Sequence, residues 1–329
     1  MALPSVIIYR YDASPYAHKV DNALIVKKIP HQRVPVSSVL PRPELADLLG
    51  ISYRRIPVAA IGNDVYCDTN LIVSALERKF PASQGFGTLF PSRKHGGSAD
   101  TGLIKAFSKT FVDNSLFSPA SLLVPWDKLP PAFVKDRSEL TGAPLNLTAL
   151  AKSRDRAVAQ LSAHMALVEE QLSDDRVWLF DTETPGLADI SVHFVLAWVQ
   201  SLKTGGSLFD PYPLTQQWLR RLTAHLKENK QPFEVVDGEQ AVNTILSEAC
   251  EPDSVVGFDQ VEAHRLKVKL NDIVNVAPED TGRAHPTTGK LVALSNSEIV
   301  LEITVPKGTV RCHFPRLGYF IAAPKVAKL

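Results

Sequence analysis

The sequence predicts three successive units: an α/β unit, an all-α unit and a small all-β unit. Three observations carry that prediction. In the first 85 residues, short β-branched runs flank an amphipathic helical stripe and end in a hairpin signal and a second helix. From residue 103 to about 235 the apolar residues recur three and four apart, between proline breaks. Beyond residue 255 the pattern changes to short alternating runs separated by Gly, Pro, Asn and Asp.

Length and composition agree with a multi-domain globular chain. The 329 residues are long for one core and sufficient for two or three. Hydrophobic residues make up 45% and charged residues 22%, with a net charge of +1, so no polyanion-binding surface and no nucleic-acid partner is expected. Cys67, Cys250 and Cys312 are too few, and odd in number, for a disulfide framework, which suits a reducing compartment. Met1 to Tyr9 lacks the pattern of a signal peptide. The longest apolar stretch, Ile190 to Val199, is interrupted by Ser191 and His193 and is too short to span a bilayer. The expected location is therefore cytoplasmic, with no membrane partner.

The elements follow in order. Val6 to Tyr9 reads as a buried strand, Asp12-Ala13-Ser14-Pro15 as a turn, and Tyr16 to Lys28 as a helix whose stripe is Ala17, Val20, Ala23, Leu24 and Lys27. Gln32 to Val36 is a second strand. Pro57 to Ile61 and Asp64 to Cys67 bracket the turn signal Gly62-Asn63. Asp68-Thr69 opens a helix that ends near Phe80, before Pro81. The first unit, residues 1–85, thus runs β-α-β-loop-β-β-α. Residues 86–102 are rich in Gly, Ser and basic side chains and read as a linker. In the helical unit, 103–235, the clearest stripe is Val158, Leu161, Met165, Val168 and Leu172. The tail, 255–329, predicts strands at Leu266–Leu270, Ile273–Val276, Lys290–Leu294, Ile299–Ile303 and Val310–Phe314, a small antiparallel barrel or sandwich.

Three short segments in the first unit carry the chemistry. Ser14-Pro15 is by itself a helix start, because Ser caps well and Pro suits the first helical position. In Arg54-Arg55-Ile56-Pro57-Val58 a proline enters a strand, a place where a cis bond occurs. Asp68-Thr69 alone is a helix cap. In this order and spacing the three resemble the thioredoxin-like domain of the glutathione S-transferases. The match runs through Ser14-Pro15-Tyr16-Ala17-His18-Lys19-Val20, Arg55-Ile56-Pro57-Val58 and Asp68-Thr69-Asn70-Leu71-Ile72, and the tau and omega classes look nearest. Gly186-Leu187-Ala188-Asp189-Ile190 resembles the capping-box helix start of the family's helical domain, with Gly186 where Ser or Thr is usual. The resemblance covers residues 5 to 230 and leaves the tail without a counterpart.

The resemblance implies a thioredoxin-like domain, an all-α glutathione S-transferase C-terminal domain and an added barrel-like β module. It also implies roles. Ser14 would donate a hydrogen bond to the sulfur of glutathione and hold it as thiolate, aided by the electropositive helix start. Ile56 would offer its backbone to the cysteinyl part beside cis-Pro57. Asp68 would take the γ-glutamyl ammonium and Thr69, with helix-start amides, its carboxylate. Arg55, with Arg54 beside it, would pair with the glycyl carboxylate. Asp68 and Thr69 stand where Glu and Ser are usual in the family. Serine cannot form a mixed disulfide, so conjugation, elimination or isomerisation of a hydrophobic electrophile is expected rather than thiol transfer. Tyr11 and Tyr16 are alternative hydroxyl donors or packing at the domain junction. Phe107 and Phe111, with Phe117 and Trp126, are an apolar wall for the second substrate or ordinary core. The family implies a homodimer. The nine histidines show no metal spacing, so no metal is expected. The other reading is a non-catalytic protein of the same fold that binds a ligand or partner.

Overall fold

A computed structural model describes residues 3–324. The first unit contains β1 (Val6–Arg10), α1 (Pro15–Lys27), β2 (His31–Pro35), α2 (Pro43–Leu49), β3 (Val58–Ile61), β4 (Asp64–Cys67) and α3 (Thr69–Lys79). β1 runs parallel to β2 and antiparallel to β3, and β3 turns through Gly62-Asn63 into antiparallel β4. The stretch expected as a loop contains α2. Its signals are ordinary ones: Pro43 at the helix start, and Gly50 at its end with φ +64°. The Ile56–Pro57 bond is cis. The α1 stripe is buried as its spacing predicts, Lys27 included, whose ammonium reaches Glu77 at 2.9 Å and the Phe80 carbonyl at 2.6 Å.

The helical unit begins with α4 (Thr101–Ala106), passes without a break through a π-helical segment at Phe107–Leu116, and continues as α5 (Phe117–Leu122). It then folds through α6 (Pro131–Thr141), α7 (Leu147–Lys152), α8 (Arg154–Gln171), α9 (Leu187–Leu202) and α10 (Pro213–Glu228). Asp189 caps α9 by accepting from the Gly186 amide at 3.1 Å, and it also accepts from Leu179 N and Trp218 Nε1. A Cβ at Gly186 would meet Pro91 Cδ at 2.8 Å and Leu89 O at 2.9 Å, so the linker packed there excludes the usual Ser or Thr. The segment expected to end the helical unit contributes β5 (Phe233–Val235), which pairs with β2.

Beyond it lie α11 (Gly238–Ser247), α12 (Gln260–Leu266), and strands β6 (Ile273–Pro278), β7 (Thr287–Leu294), β8 (Glu298–Val305), β9 (Gly308–Pro315) and β10 (Tyr319–Ala322). The alternation over Leu266–Leu270 is not a strand. Leu266 ends α12, Lys267 takes φ +58°, and Val268 N closes onto Ala263 O at 3.0 Å. The strong cap at Asp259, which accepts from Val261 and Glu262, starts a helix whose C-terminal end uses up that alternating stretch.

The β-rich tail is present, and its strands do not stand apart as a separate barrel. β9 lies parallel to β4, with Val65 opposite Cys312 and Tyr66 opposite His313. One ten-stranded sheet results, in the order β10-β6-β7-β8-β9-β4-β3-β1-β2-β5. Because side chains alternate along each strand, Val6, Ile8, Ala59, Ile61 and Tyr66 pack against α1 and α3. Ile7, Tyr9, Val58, Val65 and Cys67 join Val274, Leu291, Leu301, Phe314 and Tyr319 of the tail in a single apolar core. Among the described residues no helix is long and apolar enough to cross a membrane, and no group of His, Cys, Asp and Glu is placed to hold a metal ion.

Candidate functional site

Ser14 caps α1. Its Oγ accepts from Ala17 N at 3.3 Å, and its own amide donates to Tyr11 O at 3.1 Å. The hydroxyl proton is thereby left for another acceptor, at the positive end of a thirteen-residue helix. Ser14 is only 2% exposed.

Asp68 caps α3, accepting from Asn70 N at 2.9 Å. Its φ of +79° with ψ 132° is a sparsely populated backbone conformation for a residue with a side chain. Around the carboxylate stand Lys109 Nζ at 3.3 Å, the Tyr319 hydroxyl at 3.2 Å and Asn70 Nδ2 at 3.2 Å. Burial pushes the Asp68 carboxyl up. Lys109, the Asn70 amide, Lys19 and Arg55 outweigh that and hold it below the usual carboxylate range. Asn70 also donates to Asp113, which accepts the buried Lys19 ammonium at 2.9 Å. Thr69 is buried at the first position of α3.

Arg55 and cis-Pro57 approach the same end of the β3–β4 hairpin as Asp68, since Val58 is opposite Cys67. Among the described residues no hydrogen bond from elsewhere in the chain reaches the Ile56 backbone. Arg55 is held by the connection between β6 and β7, residues 279–286. Its Nε reaches Thr281 O at 3.1 Å, and its Nη2 bonds both that carbonyl and the Asp280 carboxylate. Arg54 pairs with Asp136 of α6 at 2.9 Å and also borders the same connection, its Nη1 3.4 Å from His285 Nε2.

The sequence of this region has known relatives. Residues 8–84 match the family model for the glutathione S-transferase N-terminal domain. The first unit is a glutathione S-transferase N-terminal domain. Residues 118–231 match a family described only as a domain of unknown function. A glutathione S-transferase-like protein from Pseudomonas syringae superposes with a TM-score of 0.75 at 25% identity, covering 97% of this chain and 100% of its own. That coverage leaves no room to omit the tail, so the whole architecture recurs there. Rice GST1 in complex with glutathione (TM-score 0.51, 17% identity, 75% of this chain and 97% of its own) shares the fold. So does a tau class glutathione S-transferase from mango (0.50, 16%, 74% and 99%). No curated protein matches.

Measured against that glutathione S-transferase frame, the nominated residues separate into two groups. Ser14, Arg55, Ile56, Pro57, Asp68 and Thr69 lie where α1, α3 and the β3–β4 hairpin begin or end. Of the aromatic ones, Tyr11 and Tyr16 flank Ser14 at the start of α1 with their hydroxyls engaged elsewhere, and Phe107 and Phe111 lie in the helical unit. The Tyr16 hydroxyl donates to Asp113 O at 3.3 Å while its ring packs on Phe117 and Phe194. The Tyr11 hydroxyl accepts from Arg137 at 3.1 Å. Phe107 stacks on Phe111 and meets Phe180, and Phe111 meets His164 of α8, so both rings pack with the helical unit's core. From the same π-helical segment, Lys109 and Asp113 reach α1 and α3 instead.

Sequence reasoning missed Lys109, Asp113, Tyr319 and Asp280. The first two sit in a helix whose π-type widening changes which residues share a face. The last two come from where β10 meets β6: Tyr319 is opposite Pro278, and Asp280 follows Pro278 by two residues. No local pattern announces a contact 225 residues away. A crevice of about 210 Å³ lies beside the 279–286 connection, lined by Leu40, Pro41, Leu45, Ile51, Tyr53 and His285 among others; its lining includes neither Ser14 nor Asp68.

Proposed function

We propose that this chain binds glutathione at the start of α1 and uses it as a thiolate against a hydrophobic electrophile. The supporting observation is a serine-capped helix start, cis-Pro57 beside an Ile56 backbone that no hydrogen bond reaches among the described residues, and an Asp68 carboxyl capping α3 and held below its usual range, all inside the matched domain. A thiol at a helix start, bonded by a hydroxyl, ionises more readily, and the thiolate is the nucleophile. The Ser14 hydroxyl keeps its proton and donates it. It forms no covalent bond, which favours conjugation, elimination or isomerisation in the manner of a tau-type, serine-containing transferase.

The test couples glutathione titration by calorimetry with turnover of a generic aryl halide. Ser14→Ala is expected to lower kcat/KM by about tenfold or more and to move the rate profile to higher pH, as loss of a hydrogen bond to a charged group requires. It also removes a helix cap worth about 1 kcal/mol. Ser14→Thr, which keeps hydroxyl and cap, should retain most of the activity. An unchanged rate in Ser14→Ala removes that residue from the mechanism.

A second reading, a non-catalytic ligand- or partner-binding protein of this fold, is favoured by the burial of Ser14 and the internal partners of Arg55 and Asp68. Glutathione binding without turnover of any electrophile in a panel would select it. A homodimer and a cytoplasmic location belong to the same proposal, the former tested by sedimentation.

A further inference from the structure

The β6–β7 connection crosses from the tail to the helical unit. Gly282 N donates to Leu140 O at the end of α6, at 2.7 Å, and Glu279 N donates to Gly318 O at 2.9 Å. These two backbone bonds fix the connection without the Asp280 side chain, which is 67% exposed. Yet that carboxylate is spent on Arg55. A guanidinium holds a carboxylate best through two parallel N–H donors. One such edge, Nε with Nη2, is filled by Thr281 O and Asp280.

We infer that Asp280 is a specificity residue: it fills, from within the chain, the place of the ligand's C-terminal carboxylate, so the site takes γ-glutamyl thiols whether or not their far end is charged. This rests on the glutathione reading above. Asp280 acts through Arg55 and touches no reacting atom. A ligand carboxylate arriving at Arg55 must displace an ion pair already made, and the exchange of one carboxylate for another gains little. A ligand with an ester or amide at that end forfeits nothing, because Arg55 stays neutralised by Asp280. The γ-glutamyl end and the sulfur are then left to supply affinity, at Asp68, Thr69 and Ser14.

The experiment compares calorimetric affinities of the full chain for glutathione and for its glycyl ethyl ester. Wild type should bind the two within about threefold of each other. Asp280→Asn keeps the Thr281 and Gly282 bonds and should favour the free acid by about tenfold or more, the gain of a charge-assisted bond to a freed guanidinium. Asp280→Glu should restore the wild-type ratio, which a merely structural role would not require. A wild-type preference of about tenfold for the free acid overturns the assignment and leaves the glutathione site standing. So does a ratio that Asp280→Asn does not move. Failure of both thiols to bind both proteins overturns it together with the reading beneath it.

Discussion

β4 begins with one aspartate, Asp64, and is followed by another, Asp68, and the tail grips the two in different ways. At its first residue, Asp64 accepts from His313 Nε2 at 3.0 Å, from Lys79 and from Glu251 N. His313 Nδ1 meets Glu298 at 2.7 Å, Arg78 links Glu298 to Glu251, and the Tyr66 ring lies 4.4 Å from the imidazole. Both ring nitrogens face carboxylates, so the imidazolium form is held. Burial opposes its charge, but Asp64 and Glu298 outweigh burial and raise the pKa. Just past the other end, Asp68 is bonded by Tyr319 and by Lys109, whose side chain is 30% exposed. A polar centre whose members, Asp64, His313 and Glu298, are each at most 5% exposed, with Arg78 only at its rim, fastens two segments together. One whose partners reach solvent can exchange them for a ligand.

Substitutions can break or sharpen that contrast. The largest effect is expected from Asp64→Asn, which leaves a buried imidazolium and Lys79 short of their counter-charge. A loss of about 3 kcal/mol or more in urea unfolding is expected, with little change in the glutathione affinity of the folded fraction. The next is a pH dependence whose alkaline limb belongs to the Asp64 end. The raised pKa of His313 contributes stability fully below its unfolded value of about 6.5, and that contribution is lost as pH rises through the folded value. The lowered pKa values of Asp64 and Glu298 contribute above their unfolded values and are lost as pH falls through the folded ones. The thermal midpoint should therefore be highest between about pH 5 and 6.5. It should decline on the alkaline side, and His313→Gln should flatten that decline. Tyr319→Phe keeps the ring in the core and removes one hydroxyl between Tyr53 and Asp68, for about 1 kcal/mol by the same measurement. The smallest is Lys109→Ala. It frees Asp68 for a ligand ammonium, and glutathione should bind about threefold more tightly with the thermal midpoint nearly unchanged.

The same contrast separates what the sequence could reveal from what it could not. Ser14-Pro15, Ile56-Pro57 and Asp68-Thr69 were legible because capping and strand entry are local chemistry written in adjacent residues. The α1 stripe was legible because period 3.6 survives burial, even with Lys27 in it. Asp280 and Tyr319 were not legible, because their partners lie in another unit and only the docking of β9 on β4 brings them near. The pairing itself was hidden. Alternation identifies a strand and its buried face but not its neighbour. Val310–Phe314 was read as part of a small antiparallel barrel or sandwich; it does pair antiparallel with β8, and its other neighbour, Asp64–Cys67, was not foreseen. Leu266–Leu270 misled because five alternating residues also fit the end of a capped helix. Phe107 and Phe111, read as a substrate wall or as ordinary core, pack with the core of the helical unit.

The order of the ten strands has one more consequence. The three longest, β7, β8 and β9, each of eight residues, all lie inside the sheet, which ends in β5 with three residues and β10 with four. An open strand border is a template on which foreign chains can polymerise, and short borders are poor templates. By docking on β4, the tail covers β9, the one eight-residue strand that would otherwise be an open border, and so removes a template for aggregation.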